Sequence, residues 1–382
     1  MSLTDAHIPY GAYWSSPFVR WDGRLADHHP LELAADTART ALAAREVPVE
    51  SFSSLFLGTT VPSRGSFYGA PWLAGMLGDD SITGPTFAQA CATSARVIAA
   101  AAQSVQCGDD EAVLCIAADR TSHGPIIDYP AEHAAGENPE KWVWDSFMKD
   151  PYAKNPMLQT AENVASRFGI DTERQHEAAL LRWEQYQTGA DMRRRYLVGV
   201  AGVTDDEGMR VRTAESLAEM TPVRPDGTVT AGSQTHPADG NAGMVITTRA
   251  KARELSSDPS IEIRLLAYAN ARTEKGHMPM ANIPAVGQVL DRAGIALSEV
   301  DVINTHNPFA VNDVLLADEL DIPLDGMNRN GSSLIWGHPQ GPTGMRSIIE
   351  VIEELVERGG GTGLFTGCAA GDTAAAVVLS VS

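Results

Sequence analysis

The stretch GPTFAQACATSARVIAAAAQSV, residues 84–105, decides how this chain is read. Its first seven residues, Gly84–Ala90, predict a buried strand running into a sharp turn. From Cys91 onward, small and apolar residues fall on nearly every helical face, which predicts a buried helix. Cys91 then stands at the helix N-terminus, at the positive end of the dipole and beside unpaired backbone N–H groups. Both effects favour the thiolate. A strand–turn–helix that presents a nucleophile from the middle of a sheet is a recurring device for acyl transfer. On its own, a buried Cys that opens a core helix is more often inert packing, so the flanking sequence has to decide.

The first third alternates. LELAADTARTALAARE (31–46) reads as an amphipathic helix, SFSSLFLGTT (51–60) as a strand, and EAVLCIAADR (111–120) as a second, buried strand. Such alternation predicts an α/β sheet covered by helices on both faces. From about Thr121 to Gly240 the chain is richer in Pro, Trp, Tyr and charge. DYPAEHAAGENPEKWVWDSFMKDPYAKNP (128–156) reads as a loop with aromatic anchors, followed by helices at TAENVASRFGI (160–170) and ERQHEAALLRWEQYQTGA (173–190). An insertion of this kind is a lid or substrate-binding region, or a surface elaboration for oligomer contact. The last third returns to alternation: MPMANIPAVGQVLDRAGI (278–295) a helix, VDVINTH (300–306) a strand, RSIIEVIEELVERG (346–359) a helix, and residues 361–382 two strands about a turn. The order of elements around Cys91 is repeated here, which predicts two similar halves that each supply loops to a shared centre.

At 382 residues the chain exceeds what one core usually serves. Its composition, 43% hydrophobic and 20% charged, is that of a water-soluble globular protein. No run reaches the length of a membrane span, and the first residues lack the basic start and apolar core of a signal peptide. Four dispersed Cys form no disulfide framework and read as reduced thiols, so a cytoplasmic location is expected. A net charge of −20 argues against nucleic acid as a partner. A polyanionic ligand would need a local basic cluster against that field. Arg193–Arg195, Arg210, Arg212 and Arg224 are the candidates, and a solvated basic face is an equally good reading of each.

Three loops of the second half stand out: His306-Asn307-Pro308-Phe309-Ala310 after a strand, Gly337-His338-Pro339-Gln340-Gly341-Pro342-Thr343-Gly344 before a helix, and Gly367-Cys368-Ala369-Ala370-Gly371-Asp372 at a strand end. Each alone could be structural. Together, CATSA, HNPFA, GHPQGPTG and GCAAGD, in that order, resemble the thiolase family. SSPFVRWDGRL (15–25) is similar to that family's opening strand and loop. MLQTAENVASRFGIDTERQHEAAL (157–180) is similar to its loop-domain helices, and DGTVTAGSQTHPADGNAG (226–243) to its coenzyme-A loop and following helix.

The resemblance implies a thiolase fold, two duplicated α/β halves in a five-layered αβαβα arrangement with an inserted loop domain. The expected boundaries are 1–118 for the first half, 119–240 for the insertion, 241–262 for the return to the first half, and 263–382 for the second half. It implies Claisen chemistry on acyl-CoA thioesters. Cys91 matches the nucleophile that is acylated, and His338 the base that activates it. Cys368 matches the second thiol, which moves the proton at the substrate α-carbon or the departing sulfur. His306 stands where many thiolases have an Asn that holds a water for the enolate oxygen; either residue can donate a hydrogen bond there. Backbone N–H groups of Cys91 and Ala370 would form the second oxyanion hole. Ser233, Thr235, Arg224 and Arg210 are the candidate coenzyme-A contacts. Coenzyme A is then a substrate, with no resident cofactor and no metal: Cys91, Cys107, Cys115 and Cys368 lack zinc spacing, and Cys107 and Cys115 read as packing.

Some positions depart from the family pattern. Gly371-Asp372 replaces part of a glycine run, Trp336 replaces a smaller aliphatic residue and is expected to reshape the pocket wall, and His236-Pro237 alters the pantetheine loop. Thr221 lies where many members carry a basic residue near the adenine. The aromatic segment IPYGAYWSSPFVRWDG (8–23) and the HNPFA loop look closer to specialised thiolases such as the type that cleaves 2-benzoylsuccinyl-CoA. The family resemblance implies a homodimer or tetramer, and the likeness to the specialised type implies a small zinc-bearing OB-fold subunit as a further partner; Trp142, Trp144, Phe147 and Tyr152 either contact an aromatic or bulky acyl group or hold the lid closed. The expected function is thiolytic cleavage of a bulky, branched or aromatic 3-oxoacyl-CoA. The alternatives are biosynthetic condensation of the acetoacetyl-CoA type, ketosynthase chemistry on a carrier protein (against which Cys368 argues), and a non-catalytic thiolase-fold subunit that binds acyl-CoA or scaffolds a partner.

Overall fold

The computed structural model describes residues 2–130 and 139–382. Residues 131–138, part of the expected aromatic-bearing loop, lie outside the described residues.

Among the described residues eleven strands form one sheet. From edge to edge its main path runs Val302–His306, Gly361–Ala369, Thr373–Val381, Ile263–Arg272, His7–Ile8, Ala238–Thr247, Ala112–Arg120, Ser54–Gly58 and Thr86–Phe87. Tyr13–Ser15 and Val19–Arg20 add onto Ala238–Thr247. The hinge of the arrangement is the two-residue strand His7–Ile8, which pairs antiparallel with Ile263–Arg272 on one side and with Ala238–Thr247 on the other. Two half-sheets thus become one surface through a single short link.

Each half is built the same way. Ser54–Gly58 and Ala112–Arg120 pair in parallel, with the Thr93–Cys107 helix in the crossover between them. Val302–His306 and Gly361–Ala369 pair in parallel, with the Thr343–Glu357 helix in theirs. Both helices pack between the half-sheets and touch each other. Pro30–Ala44 and Gly69–Leu77 cover the outer face of the first half, and Asn282–Ala293 covers that of the second. The layers are therefore helix, sheet, helix pair, sheet, helix. The main apolar core lies around the central pair, where Val97, Ile98 and Ala101 meet Met345, Ile348 and Ile352.

The Thr343–Glu357 helix is buried from Thr343 through Leu355, carboxylates included. Its acids are partnered: Tyr196 donates to Glu350 at 2.5 Å and Tyr13 donates to Glu353 at 2.6 Å. Arg346 grips Asp206 through two bonds of 2.7 Å, with both side chains fully buried. A buried pair of this kind tolerates loss of neither partner, at a cost of about 3–5 kcal/mol.

Three expectations are corrected here. Gly84–Ala90 holds no buried strand: only Thr86–Phe87 pairs, at the sheet edge and partly exposed. The helix expected to follow the coenzyme-A loop within 226–243 is not formed: Ala238–Thr247 is a fully buried strand between Ala112–Arg120 and His7–Ile8. Its small residues serve close packing rather than a helix; a Cβ on Gly243 would lie 2.2 Å from the buried Trp14 ring. The described part of 128–156 is more than loop, because Ile126–Ile127 pairs with Glu140–Lys141 and a short helix spans Trp142–Met148.

Candidate active site

The nucleophile turn is fastened by Thr93. Its hydroxyl donates to Ala90 O at 2.7 Å and accepts from Gln89 N–H at 2.8 Å. Ala90 takes a left-handed φ of 44°, which throws the chain sharply into Cys91. Regular helix begins at Thr93, so Cys91 sits in the turn ahead of the first helical residue.

The second half brings its loops to the same place. His338 Nε2 lies 3.0 Å from Cys91 Sγ, and its Nδ1 lies 2.7 Å from the Thr343 hydroxyl. The rings of His338 and His306 are 4.1 Å apart and tilted by 31°. Cys368 is buried, with its Sγ accepting from Asn312 Nδ2 at 3.2 Å. Backbone N–H groups of Ala370 and of Cys91 itself lie toward the Cys91 thiol and favour its charged form. Ala370 is not among the residues with positive φ; Gly371 at 84° and Asp372 at 59° take the left-handed turn instead. The missing glycine run therefore leaves the Ala370 N–H in place.

The electrostatics reverse one expectation. Cys91 is half-buried, yet the protein packed around its thiol pushes its pKa up to about 12. Desolvation outweighs the two N–H donors, so the turn ahead of the helix does not stabilise a resting thiolate. Burial likewise holds His338 down to about 3 and His306 well below the usual imidazole range, with the neighbouring His338 adding to it. Cys368 is raised by burial and by Cys91. The resting site is a set of neutral groups.

The proton positions follow from the network. Asn307 Oδ1 accepts from Leu334 N–H at 3.2 Å, and Asn307 Nδ2 donates to Asp313 at 2.5 Å. The Ser333 hydroxyl donates to Asn307 Oδ1 at 3.1 Å. Its oxygen therefore accepts from His306 Nδ1–H at 2.8 Å. His306 Nε2, buried and without a hydrogen-bond partner among the described residues, then carries a lone pair. His306 in this tautomer accepts a hydrogen bond toward the site; the expectation that it donates there is corrected.

Several anchoring residues escaped the sequence reading. The segment 234–238 braces both His loops: Thr235 N–H donates to Pro308 O at 2.8 Å, and His338 N–H donates to His236 O at 2.9 Å. Asp119 accepts from Thr60 N–H, Val61 N–H and Gly341 N–H at 2.7–2.9 Å, joining the His338 loop to the first half. Thr60 O in turn accepts from Trp142 Nε1 at 2.9 Å, which ties the Trp142–Met148 helix to the same assembly. The hydroxyl five residues after His338 lies within its motif and the amide six residues after His306 lies just beyond its own, but nothing in the sequence gives their direction.

The remaining candidates lie as follows. Ser233 is buried with its hydroxyl accepting from Thr230 N–H and donating to Gln175, so it faces the interior. Thr235 donates to Ser333 O at 2.5 Å. Arg210 and Arg224 are exposed, whereas Arg212 is buried against the carbonyls of Gly232 and Leu334. Arg193 stacks on Tyr186, Arg194 pairs with Asp191, and Arg195 pairs with Glu357 and Glu353, so the Arg193–Arg195 run is engaged within the protein. Trp336 does not form a pocket wall. It is fully buried between Phe18 and the Arg346 guanidinium and props the His338 loop from behind. Cys115 packs as expected, but Cys107 is exposed. Trp144 and Tyr152 are also exposed.

"Thiolase, N-terminal domain" matches residues 13–250 and "Thiolase, C-terminal domain" matches residues 260–381. The chain belongs to the thiolase family. This thiolase-family chain is 29% identical to the beta-ketothiolase BktB of Cupriavidus necator over 379 residues, 94% of each chain. It is 26% identical to the mitochondrial 3-ketoacyl-CoA thiolase of Mus musculus over 382 residues, covering 95% of this chain and 96% of that one. The crystal structure of human mitochondrial 3-ketoacyl-CoA thiolase in complex with CoA superposes with a TM-score of 0.92 at 25% identity, covering 100% of this chain and 99% of the other. The acetyl-CoA acetyltransferase of Bacillus anthracis gives 0.92 at 26% identity with complete coverage of both. The chain is thus an acyltransferase of the thiolase type with the thiolase fold. Among the described residues no helix is long and apolar enough to cross a membrane.

Proposed function

We propose that this protein cleaves a 3-oxoacyl-CoA with coenzyme A, through an acyl group carried on Cys91, and that the acyl group is bulky, branched or aromatic. The observation that carries the reading is the 3.0 Å contact between Cys91 Sγ and His338 Nε2, with Thr343 holding the far side of the ring.

Attack on the substrate carbonyl transfers the Cys91 proton to His338. The oxyanion forms beside the N–H groups of Cys91 and Ala370, and each donor stabilises charge only as it develops. Cleavage releases an enolate. His338, now protonated, can donate to its oxygen, and a water that donates one proton to His306 Nε2 can offer the other. Cys368, neutral and next to Cys91, returns a proton to the α-carbon. Coenzyme A then enters, passes its thiol proton to the Cys368 thiolate and takes the acyl group from Cys91, whose departing sulfur recovers the proton held by His338. Thiols attack and leave with similar ease, so thioester exchange has a modest barrier. Exposed Arg210 and Arg224 are the cations left to meet coenzyme-A phosphates against the protein's net charge of −20.

The substrate class rests on the aromatic segment tied to the site through Trp142, Thr60, Asp119 and Gly341. Domain boundaries at 118, 240 and 262, a homodimer or tetramer, a cytoplasmic location and a small OB-fold partner belong to the same proposal. The test is intact-protein mass after mixing with a panel of 3-oxoacyl-CoA and acyl-CoA thioesters, linear, branched and aromatic, beside Cys91→Ala. An adduct from the bulky members, absent from the variant and discharged by coenzyme A, supports the reading. Adducts from short linear thioesters alone would overturn the substrate class. No adduct from any thioester would overturn the acyl-enzyme.

A further inference from the structure

Cys91 Sγ and one ring nitrogen from each of His306 and His338 lie within 4.8 Å of one another. The two rings turn their Nδ1 atoms outward, to Ser333 and Thr343, and those hydroxyls fix ring orientation. The nitrogens left facing the thiol are both Nε2. That of His338 contacts Cys91 Sγ, and that of His306, although fully buried, has no hydrogen-bond partner among the described residues. An acceptor lone pair buried without a donor is an energetic debt that a cation would settle.

One thiolate and two imidazole nitrogens are the donor set of zinc and of its softer congener cadmium, not of magnesium or calcium. The hydroxyls behind each ring are the outer partners that such ligands usually require. Three protein donors leave a fourth position for water. The ligands come from residues 91, 306 and 338, which is why Cys spacing along the chain does not reveal them. His306 is the donor that an Asn at this position would not supply.

We propose that Cys91, His306 and His338 chelate a soft divalent cation, zinc or cadmium, which reversibly caps the nucleophile. Binding breaks the Cys91 S–H bond and forms a metal–sulfur bond; the proton leaves to solvent and nothing is oxidised or reduced. The capped form cannot be acylated until the cation is withdrawn, so the site reports free zinc as well as thioester.

The test is a cadmium titration of the full chain, reading the ultraviolet cadmium–thiolate band and proton release, with Cys91→Ala, His306→Asn and Cys107→Ser alongside. The expected result is one cadmium and one proton per chain. The band disappears in Cys91→Ala and persists in Cys107→Ser, which removes the exposed thiol. Affinity falls about tenfold or more in His306→Asn, whose fold is checked by circular dichroism. On the unmodified protein, zinc protects Cys91 from iodoacetamide, and a chelator restores labelling, read by peptide mass. Equal cadmium affinity in a folded His306→Asn would overturn the chelate in favour of a thiol-only adduct. A band that survives Cys91→Ala would place the metal elsewhere. Should His306→Asn fail to fold, Cys91 that alkylates at its normal rate under saturating zinc would overturn the proposal on the wild type alone.

Discussion

The Cys91–His338 pair is expected to rest as thiol and neutral imidazole, and the structure sets the size of that preference. The gap between about 12 for Cys91 and about 3 for His338 makes proton transfer between them cost about 12 kcal/mol, at about 1.4 kcal/mol per tenfold. The resulting ions would attract across 3.0 Å, recovering about 5–6 kcal/mol at an effective dielectric constant near 20. About 7 kcal/mol remains, so the ion pair is populated roughly once in 10⁵ molecules. The perturbation is pH. Alkylation of Cys91 by iodoacetamide, followed by peptide mass in a Cys107→Ser background, should rise about tenfold per pH unit from pH 6 to 9 without levelling, because only the thiolate reacts. Thiolate absorbance, measured as wild type minus Cys91→Ala, should be absent at pH 7. A plateau in alkylation below pH 7, or full thiolate absorbance there, would show a standing thiolate–imidazolium pair and refute the reasoning. Activation in this site would then not wait for the substrate.

Thr343→Val removes the partner of His338 Nδ1; turnover should fall about tenfold or more while KM for the thioester changes little, measured by steady-state kinetics. Asp119→Asn turns an amide toward Gly341 N–H and leaves that donor unsatisfied, for a loss of about 1–3 kcal/mol in denaturant unfolding. Burial raises the Asp119 carboxyl to about 6 from 3.8, so the folded state holds its proton more tightly. This group's contribution therefore falls as pH rises from about 4 to about 6, and the variant should lack that slope. Gly337→Ala places a Cβ 2.8 Å from His236 Nε2 at a φ of +95°; it should destabilise by about 1–3 kcal/mol and lower turnover by moving His338.

Most of the fold was legible because its signals are periodic and local. The long helices and the strands at 112–120, 302–306 and 361–381 carry their own apolar patterns and were read with boundaries close to those observed. The failures lie where pairing and packing are set outside the segment itself. Residues 238–247 look unlike a central strand because Gly240 and Gly243 exist to admit Phe18 and Trp14, and that requirement comes from partners more than two hundred residues away in the chain. Thr86–Phe87 failed in the other direction, as an apolar stretch whose pairing stops after two residues at an edge.

The site divides along the same line. The chemistry-bearing residues announce themselves by motif, but their ionisation does not, since it depends on how completely the fold removes water. Cys91 shows the difference. A turn ahead of a helix, with N–H groups at hand, argues for a thiolate, and the packing that brings His306, His338 and Cys368 around it argues more strongly for a thiol. The direction of a hydrogen bond is equally hidden: whether His306 gives or takes depends on Ser333, which depends on Asn307, which is fixed by Leu334 and Asp313. A sequence names the members of such a chain. Only their mutual placement says which nitrogen keeps its lone pair, and that lone pair decides whether His306 orients a water, accepts a cation, or does both at different times.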